Sequence, residues 1–153
     1  MPELAQVQQL IAYADELYHR LVLIVGPSGS GKTALLRHLH AAVAAPCINV
    51  NLALSQQLLD LPARDRILRG PSLLCTLVDA TAAPLVLLDN TELLFHHDYR
   101  WKPLDLLKSC ARDRTVVAAW NGRLADGYVI YATPDHPDYR REPIREILTY
   151  ALT

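Results

Sequence analysis

Apolar residues near the start of the chain first recur at the spacing of a helix and then run together as in a buried strand. In residues 3–18 they lie three or four positions apart with polar residues between them, which predicts an amphipathic helix. Residues 21–25 form an uninterrupted apolar run closed by Gly26-Pro27, which is typical of a strand buried on both faces. A second helix is predicted over residues 32–44, because Pro46 follows.

The rest of the chain alternates short apolar runs with helical segments. This alternation predicts βαβ units, and hence an α/β fold with a mostly parallel sheet and helices on both faces. We expect one domain over residues 1–153, with no readable pattern in residues 139–153. Strands are predicted at 47–52, 85–89, 115–120 and 128–133, helical segments at 55–61, 71–80, 90–95 and 104–110, and an arginine-rich loop at 62–70.

Charge and composition exclude some classes of protein. The net charge is −1 and the basic residues are spread along the sequence, so the sequence does not support direct binding to nucleic acid. The three cysteines, Cys47, Cys75 and Cys110, are far apart in sequence and each lies in an apolar stretch, which predicts buried free thiols in a reducing cytosol. No apolar run approaches the ~18 residues of a membrane helix and acidic residues precede the first strand, so we expect no membrane contact and a cytoplasmic protein.

A phosphate-binding loop is predicted between the first strand and the second helix. The pattern G-x-x-x-x-G-K-[ST] is matched at every position, and the strand before it and the helix after it are the context that the mechanism requires. Glycines let the backbone approach phosphates closely, so we expect a side chain at Gly29 or Gly31 to obstruct the ligand. The predicted loop consists of Gly26, Pro27, Ser28, Gly29, Ser30, Gly31, Lys32 and Thr33.

Two residues of this loop carry the chemistry. Lys32 is expected to reach the β- and γ-phosphates of a nucleoside triphosphate, and the Thr33 hydroxyl to ligate Mg²⁺. ATP is preferred to GTP because the chain contains no Asn-Lys-x-Asp guanine signature. The sequence therefore predicts an ATP site with a magnesium ion.

A second carboxylate is required at the tip of another strand, where it holds the metal. Asp89 follows the apolar run 85–88 and is assigned this role, although it is also well placed to cap a following helix. In many related ATPases a glutamate follows this aspartate and polarises the attacking water, but here the residue is Asn90. An amide is no general base, so hydrolysis should be slow unless Glu92 or a partner supplies one. The alternative interpretation of Glu92 is a first-turn carboxylate facing a helix dipole.

The strand at 115–120 ends in Asn121-Gly122 and resembles the sensor strand of AAA-type ATPases. That resemblance makes Asn121 a site candidate, while a simple Asn-Gly turn is the alternative. Arg123 is a candidate arginine finger for a neighbouring subunit, in competition with other arginines. The group His96-His97-Asp98 is expected to be a solvated loop, because adjacent residues do not usually face one metal.

Together with the phosphate loop, three further stretches resemble BrxF, the family of small P-loop proteins from type 3 BREX bacteriophage-exclusion systems. They are Asn49-Val50-Asn51-Leu52, Leu-Leu-Asp-Asn at 87–90 and the strand at 115–120. The resemblance covers nearly the whole chain, and the stretch after Tyr139 departs most from it. It implies a bacterial cytoplasmic component of an antiviral defence system that acts beside a DNA methyltransferase, a large ATPase and a phosphatase-like protein.

The prediction is a P-loop NTPase domain with an AAA-like core and no C-terminal lid, since 32 residues follow Asn121. Such a core is expected to bind ATP, hydrolyse it slowly, and use its nucleotide state to control assembly with itself or with other defence proteins. One alternative is a small-molecule or nucleotide kinase; another is an ATP-dependent interaction module that does not hydrolyse, which Asn90 favours. The kinase would clamp an acceptor phosphate with Arg64, Arg66, Arg69, Arg112 and Arg114, but no lid insertion is evident.

Overall fold

A computed structural model describes residues 2–153. The helices are α1 (Pro2–Ala14), α2 (Lys32–Val43), α3 (Val50–Leu58), α4 (Ala63–Asp79) and α5 (Pro103–Cys110), with short 3₁₀ helices at Glu92–Phe95 and His97–Tyr99. The strands are β1 (Leu21–Gly26), β2 (Cys47–Asn49), β3 (Leu85–Asp89), β4 (Thr115–Asn121), β5 (Arg123–Ala125), β6 (Tyr128–Tyr131), β7 (Arg140–Pro143) and β8 (Leu148–Ala151).

Five strands form the main sheet in the order β2-β3-β4-β1-β8, and every neighbouring pair is parallel. The predicted α/β fold with a mostly parallel sheet is therefore confirmed. Strand β4 lies between β1 and β3, which is the AAA-like arrangement expected of a P-loop NTPase. Gly26 pairs with Asn121, and Asn49 pairs with Asp89. Because the strands are parallel, their carboxyl ends meet at one edge of the sheet.

Each face of the main sheet is covered by helices, as predicted. Alternate residues of β1 point to opposite faces, so Leu23 and Ile24 belong to different clusters of buried side chains. Helices α3, α4 and α5 pack over one face, where Leu54 and Leu74 are fully buried. Helices α1 and α2 cover the other face, where Leu36 is fully buried.

A small antiparallel sheet, β5-β6-β7, follows β4 directly. It is joined to the core by Trp120, whose indole N–H donates to the carbonyl of Ile130 at 3.1 Å, and by Phe95, which stacks on Tyr131. The chain then returns to the main sheet, where β8 pairs with β1. Within residues 2–153 no helix follows β4.

Several predicted boundaries are wrong. The strand predicted at 47–52 ends at Asn49, because the Asn49 side chain accepts the N–H of Leu52 at 3.1 Å and starts α3. The predicted arginine-rich loop is part of α4, so Arg64 and Arg66 lie on a helix. The first helix ends at Ala14 rather than at residue 18. Residues 139–153, for which no pattern was evident, contain β7 and β8.

The prediction for the cysteines is also wrong in part. Cys47 is exposed on β2, and Cys75 is half-buried on α4. Cys110, on α5, is buried as expected, but its Sγ lies 3.0 Å from Sγ of Cys75. The two thiols are 35 residues apart in sequence and meet because α4 and α5 pack together. No helix among the described residues is both long and apolar enough to cross a bilayer.

Candidate phosphate-binding site

The predicted phosphate loop connects the end of β1 to the start of α2. Gly29 and Gly31 have φ angles of +80° and +104°, which residues with a side chain adopt only at a cost in free energy. A Cβ at either glycine would meet no protein atom within 4 Å, so within the protein the requirement for glycine comes from the backbone conformation. The hydroxyl of Ser30, between them, lies 3.5 Å from Nζ of Lys32.

Lys32 is the first residue of α2 and is almost completely buried, with 7% of its surface exposed. Its Nζ donates to the carbonyls of Gly26 at 2.8 Å and Pro27 at 2.7 Å. Burial lowers the pKa of Lys32, and the nearby carboxylates of Glu92 and Asp89 act in the opposite direction. No carboxylate of the described residues lies within ion-pair distance of Nζ. The site therefore holds an ammonium group that is not paired with an acid and suits an anionic ligand.

Thr33 and Asp89 pair directly across the site. The Thr33 hydroxyl donates to Oδ2 of Asp89 at 2.8 Å, and the N–H of Asn90 donates to Oδ1 at 2.9 Å. The cap of the 3₁₀ helix after β3 is Thr91, so the alternative that Asp89 caps this helix is wrong. A hydroxyl and a carboxylate oxygen side by side are hard ligands of the kind that Mg²⁺ prefers, and this donor set fits the predicted metal.

Glu92 lies between two asparagine side chains. Nδ2 of Asn51 donates to Oε2 at 2.8 Å, and Nδ2 of Asn121 donates to Oε1 at 2.6 Å. Asn51 follows β2, Glu92 follows β3 and Asn121 ends β4, so three strand ends meet at this carboxylate. Although Glu92 opens a 3₁₀ helix, its oxygens are bonded to side-chain amides rather than to the N–H groups of that helix. The geometry favours a role in the site over the helix-dipole interpretation.

Asn90 also faces the site but is held differently. Its φ is +51°, its carbonyl accepts the N–H of Asn51 at 2.8 Å, and its side chain makes no hydrogen bond with the described residues. Asn121 is the last residue of β4. The next residue, Gly122, donates its N–H to the carbonyl of Gly26. The interaction with Glu92 favours Asn121 as a site residue over a simple turn.

Asn51 was not identified as a site residue from the sequence. Its side chain holds Glu92 through Nδ2 and accepts the N–H of Leu93 through Oδ1 at 2.7 Å. The strand predicted through residue 52 would place Asn51 within that strand. The structure instead ends β2 at Asn49, so Asn51 lies beyond the strand, at the carboxyl-terminal edge of the sheet where the site is. The signal that could have found it is Asn49, a good N-cap residue two positions earlier.

A cavity of about 300 Å³ joins these groups. It contains most of the predicted site residues, while Gly26, Pro27 and Ser30 contact Lys32 from outside its lining. The lining residues are Ser28, Gly29, Gly31, Lys32, Thr33, Asp89, Asn90, Glu92, Ala119 and Asn121.

No arginine is among the residues that line this cavity. Arg123 is exposed on β5 and borders a different cavity, which Pro27 also lines. Arg66 donates to backbone carbonyls near its own helix, and Arg114 pairs with Asp79. The phosphate clamp expected for a kinase is therefore not assembled here.

The side chains of the group at 96–98 lie closer together than adjacent residues were expected to. One candidate ligand atom from each of His96, His97 and Asp98 lies within 4.8 Å of the others, so adjacent residues do converge. These groups are nevertheless partly exposed and already partnered: Nδ1 of His97 lies 2.6 Å from Oδ1 of Asp138, and Nδ1 of His96 accepts the N–H of Asp98. Their mutual pairing accounts for the cluster.

No protein-family model and no curated protein matches the sequence. Among solved structures, a chain in a structure of Drosophila ORC bound to DNA is similar with a TM-score of 0.45 and 20% identity over 97% of this chain. A structure of C. elegans PCH-2 is similar with a TM-score of 0.44 and 17% identity over 80% of this chain. The matches span 41% and 38% of the length of those chains, and such likenesses leave the family of this protein open.

Proposed function

We propose that the chain binds ATP and Mg²⁺ at the phosphate loop and hydrolyses the nucleotide slowly. The observation that carries this proposal is the convergence of one buried ammonium, a hydroxyl–carboxylate pair and a fixed carboxylate on a single cavity. These groups are Lys32, Thr33 with Asp89, and Glu92. Each is a group that triphosphate binding or hydrolysis requires.

The phosphates would be bound by the loop and by Lys32. In the structure Nζ of Lys32 donates hydrogen bonds to two carbonyls of its own loop. The charged oxygens of a triphosphate would be stronger acceptors and would replace these carbonyls. Thr33 and Asp89 would hold Mg²⁺ by exchanging their mutual hydrogen bond for ligation. A bound Mg²⁺ would neutralise part of the phosphate charge.

Glu92 is the residue proposed to take the proton of the attacking water. Asn90, which follows Asp89 directly, cannot do so, whereas Glu92 is a carboxylate in the cavity lining. Each of its oxygens already accepts an amide N–H, so the carboxylate is held in place and both oxygens have a hydrogen-bond partner before water arrives. Slow turnover is expected from this arrangement and because no arginine is among the residues that line the cavity.

Assembly is the proposed use of the nucleotide. Arg123 is exposed beside the loop and makes no ion pair with the described residues, so it can reach the site of a neighbouring copy. The proposed setting is the cytoplasm of a bacterium, in a BREX-type defence system with other proteins of that system as partners. The support for this setting is the resemblance of the four sequence stretches to BrxF.

Calorimetry with ATP tests the binding proposal. Lys32→Ala should abolish measurable affinity while the fold is retained, because loss of hydrogen bonds to charged oxygens costs about 1.5–3 kcal/mol each. Asp89→Asn should weaken the response to Mg²⁺ more than binding itself, since the loop and Lys32 remain. Thr76→Ala, at an exposed position of α4, is the control. Unchanged affinity in folded Lys32→Ala protein would refute the phosphate-site assignment.

Affinity purification from the native host tests the setting. The wild-type chain, with ATP present, should bring down other defence proteins that the Lys32→Ala chain does not. Recovery of the same proteins with both chains would show that nucleotide does not govern assembly, and recovery of unrelated partners would remove the BREX assignment while leaving ATP binding intact.

A further inference from the structure

The two thiols between α4 and α5 lie in direct contact on the face of the sheet opposite α2. Sγ of Cys75 and Sγ of Cys110 are 3.0 Å apart, and a disulfide requires about 2.05 Å. A movement of about 1 Å closes this difference, which side chains on two neighbouring helices can make by small changes of rotamer. We infer that Cys75 and Cys110 form a dithiol site that small organic disulfides, of which glutathione disulfide is the type, oxidise to an α4–α5 cross-link.

The two thiols differ in access. Cys75 is half-buried and borders a cavity of about 480 Å³, whereas Cys110 is 5% exposed. Exposed residues such as Lys102 and Asp105 border the same cavity, so a reagent of small molecular mass can enter from solvent. Trp101 and Leu106 provide apolar walls against which the reagent can lie. Attack from solvent therefore starts at Cys75.

Electrostatics gives the same order. The hydrogen bond from the Cys110 thiol is the largest influence on Cys75 and lowers the pKa of the Cys75 thiol, against the opposing effects of burial and Asp79. The same hydrogen bond, followed by burial, raises the pKa of Cys110. The thiolate is the attacking form in thiol–disulfide exchange, so Cys75 is the nucleophile and Cys110 the resolving thiol.

The chemistry balances in two steps. The Cys75 thiolate attacks one sulfur of the disulfide RSSR, forms a mixed disulfide Cys75–S–S–R, and releases RS⁻. Cys110 then loses its proton to RS⁻ and attacks Sγ of Cys75, which forms the Cys75–Cys110 bond and releases a second RS⁻, protonated by solvent. Two protein thiols are oxidised, and one small disulfide is reduced to two thiols.

Mass spectrometry of the full chain tests the inference, with Cys47 as an internal control. The protein is incubated with glutathione disulfide, quenched with acid, and alkylated in denaturant. We expect two of the three thiols to be lost without a retained glutathionyl group, and trypsin to release residues 70–100 linked to residues 109–112. Retention of alkylatable Cys75 and Cys110 while Cys47 is modified would overturn the proposal, as would a link between Cys47 and either of them.

Single variants test the order of attack. Cys110→Ser should stop the reaction at a glutathionyl group on Cys75, and Cys75→Ser should leave Cys110 unmodified because it is buried. Cys47→Ser should still form the cross-link. Circular dichroism checks that each variant is folded, and Cys110→Ala replaces Cys110→Ser if the hydroxyl is not tolerated. Equal modification of Cys110 in the Cys75→Ser protein would show that burial does not protect it and would overturn the assigned order.

Discussion

Replacement of Glu92 by glutamine tests the proposed role of Glu92 as the general base. The substitution keeps the shape of the side chain, but an amide has one acceptor oxygen where the carboxylate has two. With the asparagine side chains in their present orientations, one of the hydrogen bonds from Asn51 and Asn121, at 2.8 and 2.6 Å, is therefore lost, because the new NH₂ group faces another NH₂ donor.

Two effects are expected in this variant, one on stability and one on the rate of hydrolysis. Loss of one hydrogen bond to a charged group costs about 1.5–3 kcal/mol, so the free energy of unfolding should fall by about 2 kcal/mol. Loss of a positioned base lowers the rate of hydrolysis by a factor of about 10²–10⁴. ATP affinity should change little, since a carboxylate at Glu92 provides no hydrogen-bond donor or positive charge for the phosphates. The variant is thus expected to be folded, able to bind ATP, and nearly inactive.

Single-turnover hydrolysis of radiolabelled ATP, followed beside calorimetry, measures both effects. Asn90→Gly is the matched control, because glycine tolerates the φ of +51° and the Asn90 side chain makes no hydrogen bond. It should keep the wild-type rate. The reasoning about Glu92 is refuted if Glu92→Gln hydrolyses ATP at the wild-type rate, or if Asn90→Gly loses as much activity as Glu92→Gln.

Three further outcomes are expected. Asn51→Ala should speed ATP hydrolysis per folded molecule, since it frees Oε2 of Glu92; a slower rate would mean that Asn51 positions the base. Arg123→Ala should remove any rise of turnover with protein concentration, where an arginine supplied in trans is worth about 10³–10⁵, and leave ATP affinity unchanged. The free energy of unfolding, measured in urea, should fall by about 2–4 kcal/mol in Gly70→Ala. In the exposed control Thr76→Ala it should fall by less than about 0.5 kcal/mol.

The part of the site that is local in sequence could be predicted. The loop from Gly26 to Thr33 matches the phosphate-loop pattern and lies between a predicted strand and a predicted helix. Asp89 is identified by the apolar strand that precedes it. Both predictions place their residues at the same cavity. The hydrogen bonds to Glu92 could not be predicted in this way, because they join residues 41 and 29 positions apart and depend on the order of the strands.

The errors in the fold have a common physical cause, which is that tertiary contacts decide between local alternatives. The last strand, β8, has a weak pattern of its own, and it forms because β1 offers a free edge with which it pairs from Val22 to Val25. The contact between Cys75 and Cys110 likewise follows from the packing of α4 on α5 and from nothing in the spacing of the cysteines.

Helix α4 shows how such a contact overrides local sequence. Gly70 and Pro71 predict a break, because proline removes the N–H that would bond the carbonyl of Ile67. In the structure the indole N–H of Trp101 donates to that carbonyl at 2.9 Å. Gly70 makes room for the ring, since a Cβ there would lie 1.9 Å from Cζ2 of Trp101. Gly70 therefore makes space for the indole ring of Trp101, and Pro71 leaves the carbonyl of Ile67 free to accept the indole N–H. Helix α4 continues through both residues because Trp101, 34 positions from Ile67, supplies the missing donor.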